Sequence, residues 1–168
     1  QAIYDLAVER VGDTAFIQAG AHAPELLDWY FNSFYAKVFY GGRVPVRIKE
    51  IVRLRLSKTH GCAFCNKWNT VDARAVGLTE EELQAITPWP EEIGAGVFSA
   101  AEVLQNMDGY LSPDLYARLR EHFDDAEIFE LGMTMAVLTG MAKFLFIADL
   151  VPKEDNCPVP GARNAAAG

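Results

Sequence analysis

Cys62-Ala63-Phe64-Cys65 is the stretch of this chain with the clearest capacity for chemistry. Two thiols three residues apart can close a small disulfide. At the start of a helix, the exposed backbone N–H groups and the positive dipole end acidify the first of them. The thiolate is the nucleophile, so residue type, spacing and placement together point to redox chemistry. The same spacing makes half of a zinc site, and a pair of buried, inert thiols is the plain alternative, because free cysteine is among the most buried residue types. A zinc site needs four ligands, and only His60 and the distant Cys157 are at hand to complete one. Neither a metal nor another cofactor is expected.

Such a site needs elements to hold it, and the punctuation of the chain is almost entirely helical. Pro24 opens a run over 25–40 in which Leu26, Leu27, Tyr30, Phe31, Phe34 and Val38 recur at three- and four-residue spacing, and Gly41-Gly42 ends it. Pro45 opens the next, with Ile48, Ile51, Val52, Leu54 and Leu56 on its inner side and Gly61 as its break. A third helix is predicted from about Cys62 to Val76, stopped by Gly77. Thr79-Glu80-Glu81-Glu82 is a capping box for a short fourth helix ending near Ile86. Pro88-Trp89-Pro90 reads as a rigid connector, and Ser99-Ala100-Ala101-Glu102 starts a helix to about Gly109. Ser112-Pro113 caps another, and Asp124-Asp125-Ala126-Glu127 starts the long final one, through Asp149. No clear run alternates apolar and polar residues as a strand would. The expected fold class is all-α: one helical domain over 1–151, then an irregular tail over 152–168. That also separates this CxxC from the βαβ frame of a thioredoxin.

With 168 residues the chain is long enough for one domain with a proper core. Its hydrophobic share of 51% is high for a soluble protein, which points to apolar surface buried between subunits of a homo-oligomer. A net charge of -8 argues against nucleic acid or an anionic membrane as partner, since both need a basic surface. Two of the three cysteines sit in the CxxC, which is no secreted disulfide framework, so a reducing, cytoplasmic setting is expected. Gln1-Ala2-Ile3-Tyr4-Asp5 lacks the basic and apolar regions of a signal peptide. The longest apolar stretch, Leu131 to Ala142, is cut by Lys143 and then Asp149; it is too short to span a bilayer and reads as a buried helix.

The segment from Lys49 through Glu50, Arg53 and Arg55 to Leu56, then Gly61-Cys62-Ala63-Phe64-Cys65, then Ala75-Val76-Gly77-Leu78-Thr79-Glu80-Glu81-Glu82-Leu83, resembles the carboxymuconolactone decarboxylase family. More closely it is similar to the alkylhydroperoxidase D-like (AhpD-like) branch. The likeness continues into Phe98-Ser99-Ala100-Ala101-Glu102 and Phe123-Asp124-Asp125-Ala126-Glu127-Ile128. The resemblance implies an AhpD-like helical bundle, oligomeric, whose redox members reduce hydroperoxides with the two cysteines. It implies Cys65 as the peroxidatic cysteine, Cys62 as the resolving one, and Glu50, twelve residues before Cys62, as part of a proton relay. A small hydroperoxide substrate and an external dithiol reductant would follow. The branch carries a histidine four residues after the second cysteine, and here that position is Asn69. An amide cannot accept and return a proton near neutral pH as imidazole does, although it can orient a water or a substrate oxygen.

His60, two residues before Cys62, is the candidate stand-in for that relay, with an ordinary loop histidine as the bland reading. Glu50 is either a solvated surface carboxylate or a partly buried acid whose pKa desolvation raises. Lys58 and Lys67 are candidates to hold a thiolate, against the usual solvated role of helix lysines. The aromatic group from Trp29 to Tyr40 is dense enough to line a pocket, and equally suits core or subunit interface. Trp68 stands beside the cysteines as a possible pocket wall. Nothing around His22, His122 or Cys157 points to chemistry. The leading expectation is a thiol-dependent hydroperoxide reductase, an antioxidant peroxidase. The alternatives are a lyase acting on a small carboxylate, and a non-catalytic oligomeric protein that binds or senses redox state because the usual histidine is Asn69.

Overall fold

The computed structural model describes residues 4, 5, 8, 9, 12–84 and 113–152. Helix α1 spans Ala15–Gly20 and α2 spans Pro24–Asp28, which runs on without a break as a π-helix over Trp29–Phe39. Then come α3 (Val46–His60), α4 (Ala63–Ala75), α5 (Glu80–Gln84), α6 (Pro113–Arg120) and α7 (Asp125–Ile147). Among the described residues there is no strand, so the fold is all-α as expected. The predicted connector at Pro88, the helix begun at Ser99 and the tail after Pro152 lie outside the described residues.

Most boundaries fall where the local chemistry requires. Pro45, with φ of -53° and ψ of 135°, presets the entry to α3. Gly61 closes it in the left-handed conformation, φ 65°, which a side chain would resist. The turn is sealed by the Cys62 N–H donating to the Ser57 carbonyl at 3.1 Å, so only Gly61 and Cys62 separate the end of α3 from the start of α4. Gly77, φ 83°, ends the α4 segment in the same way. Thr79 and Glu82 cap α5 reciprocally, and Asp124 and Glu127 do so for α7.

One element departs from the spacing argument. The run after Pro24 was predicted as a single α-helix, but from Trp29 the turns widen, and Tyr40 N–H donates to the carbonyl of Tyr35, five residues back, at 2.8 Å. The repeat of the rings explains the change. Tyr30 meets Tyr35 at 5.1 Å between centroids, Tyr35 meets Tyr40 at 6.0 Å, and Phe34 meets Phe39 at 6.4 Å. In an α-helix, residues five apart point about 140° away from each other. The wider turn brings them onto one face, where edge and stacked ring contacts offset its poorer hydrogen-bond geometry.

Helix α3 lies at the centre and is buried on more than one side. Val52 and Leu56 join Val44, Leu119, Leu131 and Met135 in one core cluster, between α3, α6 and α7. Ile51 and Leu54 join Ala73, Leu78 and Leu83 in a second, towards α4 and α5. A third cluster gathers Cys62 with Ala142, Leu145, Phe146 and Val151 at the far end of α7. A helix this enclosed has no room for solvated charge, yet Lys49, Glu50, Arg53 and Ser57 are all buried on it. Each has a partner. Lys49 Nζ donates to the Val38 and Phe39 carbonyls at 2.6 and 2.9 Å and pairs with Glu130 of α7 at 2.6 Å. Glu130 also accepts from the N–H groups of Arg43 and Val44. Burial pushes its pKa up, but Lys49 and these two donors hold the carboxyl below its ordinary value.

Helix α7 corrects the reading of the apolar stretch. It runs unbroken for 23 residues, long and apolar enough by length and composition to cross a membrane. Lys143 interrupts the apolar composition but not the helix, which was expected through Asp149 and runs to Ile147, because a long side chain on one flank leaves the helical backbone intact. Its inner stripe, with Leu131, Thr134, Met135, Ala142 and Leu145, is core. Its outer stripe of Phe129, Met133, Phe144 and Ile147 is exposed, so the helix is half buried rather than wholly so.

Candidate functional site

Cys62 sits in extended backbone as the N-cap of α4, and its Sγ accepts the N–H of Cys65 at 3.1 Å. The two cysteines are joined as a disulfide, with Cα atoms 5.2 Å apart. Cys62 is fully buried, whereas Cys65, on the first turn of α4, is partly open. The cap matters chemically, because the helix start that holds Cys62 Sγ also stabilises negative charge on it when the bond is reduced.

Both cysteines line a cavity of about 380 Å³. The π-helix and its C-cap supply one wall: Tyr30, Tyr35 and Tyr40 are brought to the same side by the five-residue repeat, with Phe31 beside them. Opposite stands one face of α4: Cys65, Trp68, Asn69 and Asp72. These fall three, four and seven residues after the first, which is one stripe of an α-helix. Leu138, Met141 and Leu145 of α7 and Phe16 of α1 close the cavity, while Arg53 and Ser57 of α3 add polar groups. Ser57 Oγ lies 3.0 Å from the Leu54 carbonyl and 2.7 Å from Asn66 Oδ1, either of which can accept its single O–H proton.

Behind the wall runs a chain of charge. Arg53 Nη2 bonds Glu50 Oε2 at 2.6 Å and Asp72 Oδ2 at 2.9 Å, and its Nε adds a second bond to Glu50 at 3.0 Å. Its guanidinium lies 4.8 Å from the centroid of Phe39 and 5.8 Å from that of Tyr35. Asp72 also accepts from Trp68 Nε1 at 3.1 Å and from the Tyr40 hydroxyl at 3.4 Å. Burial pushes the Glu50 carboxyl up to about 7, with Asp72 adding to the rise and Arg53 opposing it. Glu50 Oε1 is buried without a partner among the described residues, a site where a proton would sit. Burial likewise lifts the Tyr40 phenol to about 12, so it stays a hydrogen-bond donor.

The structure therefore gathers Cys62, Cys65 and Asn69 on one cavity, with Trp68 as a wall. Glu50 is a buried acid of raised pKa and not a surface carboxylate, but it lies behind the lining and reaches it through Arg53. Asn69 is buried one turn beyond Cys65. His60 ends α3, and its side chain is outside the described residues, as is Cys157. Lys58 turns away, donating to the Leu83 carbonyl at 2.9 Å, and Lys67 is exposed. His22 and His122 are exposed. Sequence reasoning missed Arg53, Asp72 and Ser57. A signal existed for the first two: Arg53 follows Glu50 by one turn, and Asp72 continues the Cys65–Trp68–Asn69 stripe.

A profile of the carboxymuconolactone decarboxylase family matches residues 24–106, from the Pro24 helix through α3, the CxxC, α4 and α5. The uncharacterized protein YdfG of Bacillus subtilis (strain 168) is similar to this chain, 34% identical over 91 residues. The similarity covers 49% of the chain and 60% of that protein, so the chain spans under two thirds of the relative it matches.

Proposed function

We propose that this chain, whose residues 24–106 match the carboxymuconolactone decarboxylase family, is a thiol-dependent hydroperoxide reductase of that family. The observation that carries this reading is the Cys62–Cys65 disulfide, formed at a helix N-cap and opening onto an apolar, aromatic cavity.

In the reduced protein, Cys65 Sγ as thiolate attacks the distal oxygen of a hydroperoxide. The O–O bond breaks, the alcohol leaves with a proton, and Cys65 becomes a sulfenic acid. Cys62 Sγ then attacks Cys65 Sγ, the S–O bond breaks and water departs, leaving the disulfide. Two electrons have passed from the thiols to the peroxide. An external dithiol restores the pair by attacking the more open sulfur, Cys65, and is itself oxidised to a disulfide. Cys62 is the leaving group of that step, and the N-cap suits it, since a stabilised thiolate leaves faster. Cys65 has the accessibility and Cys62 the charge stabilisation, which supports the division of roles that the family resemblance implies.

Glu50, with a pKa near 7, is suited to hold the exchanged proton, and Arg53 couples it to the cavity. Asn69 orients the peroxide rather than moving protons. The exposed apolar stripe of α7 supports assembly as a homo-oligomer.

The test is mass spectrometry of the reduced protein after brief exposure to cumene hydroperoxide, with differential alkylation of Cys62 and Cys65. A rapid intramolecular disulfide is expected, and in Cys65→Ser, a Cys62 that stays reduced and no peroxide turnover. Full peroxide activity in Cys65→Ser would overturn the mechanism. Two thiols left untouched in the folded wild type would favour the lyase or the non-catalytic reading.

A further inference from the structure

We propose that the cavity selects an uncharged, ring-bearing hydroperoxide and turns away hydroperoxides that carry a carboxylate. The proposal deepens the hydroperoxide reading and rests on it.

The shape and surface of the cavity set the first half. Its volume, about 380 Å³, suits a compact organic molecule and far exceeds what hydrogen peroxide fills. Tyr30, Tyr35 and Tyr40 stand in file along the π-helix, Trp68 faces them from α4, and α7 offers only apolar side chains. Rings entering between such walls gain edge and offset-stacked contacts beyond their area burial.

Charge sets the second half. Among the described residues that line the cavity, Arg53 and Asp72 alone are charged. Arg53 is already committed to two carboxylates, Glu50 and Asp72. One cation set between two anions leaves a local balance that is negative once Glu50 is ionised. A carboxylate ligand would lose its hydration and meet no uncommitted positive charge in return. Such a site discriminates by repulsion as much as by fit.

The remaining polar group completes the picture. Asn69 is buried on the lining, one turn from Cys65, and its amide makes no hydrogen bond to any described residue. An amide offers one donor face and one acceptor face. A neutral hydroperoxide carries the complement of both: an acceptor oxygen and an O–H donor.

The experiment uses matched probes on the reduced full chain. Cumene hydroperoxides bearing a para methyl ester or a para carboxylate differ mainly in charge, and a straight-chain hydroperoxide of the parent's carbon count removes the ring. Rates of Cys62–Cys65 disulfide formation are measured at about pH 8, where Glu50 is mostly ionised. The corresponding alcohols are titrated calorimetrically into the oxidised protein. The ester is expected to react and bind at least about tenfold better than the carboxylate, and the parent arene faster than the straight chain. Asp72→Asn is expected to narrow the ester-to-carboxylate ratio. Equal rates and affinities for ester and carboxylate, or no binding of either alcohol, would overturn the selectivity while leaving peroxide reduction standing. Thiols inert to every peroxide, with the alcohol preference retained, would instead overturn the hydroperoxide function and keep the selectivity of the cavity.

Discussion

Glu50 concentrates the physics of the site in one side chain. An acid on a fully enclosed helix keeps its proton unless something holds the charge, and Arg53 does so only in part, leaving the pKa at about 7 against an ordinary value of 4.5. The folded state thus binds more protons than the unfolded state between those two values. Its contribution to stability is complete below about pH 4.5, is lost as pH rises through 7, and is constant beyond. The shift corresponds to about 3 kcal/mol. Replacing the acid, Glu50→Gln, is expected to remove that dependence: urea unfolding at pH 5 and pH 8 should differ less in the variant than in the wild type. An unchanged difference would mean that Glu50 does not carry the shift. Cys62 and Cys65 were legible from type and spacing, and Glu50 only through the family resemblance, which implies an acid twelve residues before Cys62. For Arg53 the only local signal was its place one turn after Glu50, because a mid-helix arginine looks solvated until the fold shows its second carboxylate, Asp72, on another helix.

At the scale of elements, legibility followed the local codes. Pro45, Gly61, Gly77, Thr79 and Asp124 each act within a few residues of themselves, so the boundaries they set were readable. The π-helix was not, because three- and four-residue spacing of apolar groups coexists there with a five-residue repeat of rings, and only packing decides which one wins. The same holds for Lys49. Its partners are far from it in sequence, and it is the clasp that joins the end of the π-helix to α3 and α7. Replacement by methionine leaves the Glu130 carboxylate and two backbone carbonyls without their cation. Lys49→Met is therefore expected to cost about 3–5 kcal/mol, the range for breaking one side of a buried pair. Chemical denaturation measures it, and a loss under about 1 kcal/mol would show that the clasp is dispensable.

For the molecule as a whole, the outer stripe of α7 is the feature that the described fold leaves without a cover. Phe129, Met133, Phe144 and Ile147 recur along one side of a helix whose other side is core. If subunits meet there, Ile147→Glu places a charge in the contact, and light scattering coupled to gel filtration should report a smaller particle. An unchanged mass would show that this stripe makes no contact between subunits. Oxidation is also a property of the whole chain, because Cys62 Sγ is at once half of the redox pair and the acceptor that begins α4. A thiolate accepts a hydrogen bond more strongly than a disulfide sulfur does. Reduction and helix anchoring are therefore two entries in one thermodynamic cycle, and each must favour the other to the same extent. Whatever grips the first turn of α4 makes the protein a keener electron acceptor, so the exchange rate of a single backbone proton, that of Cys65, becomes a readout of its redox state.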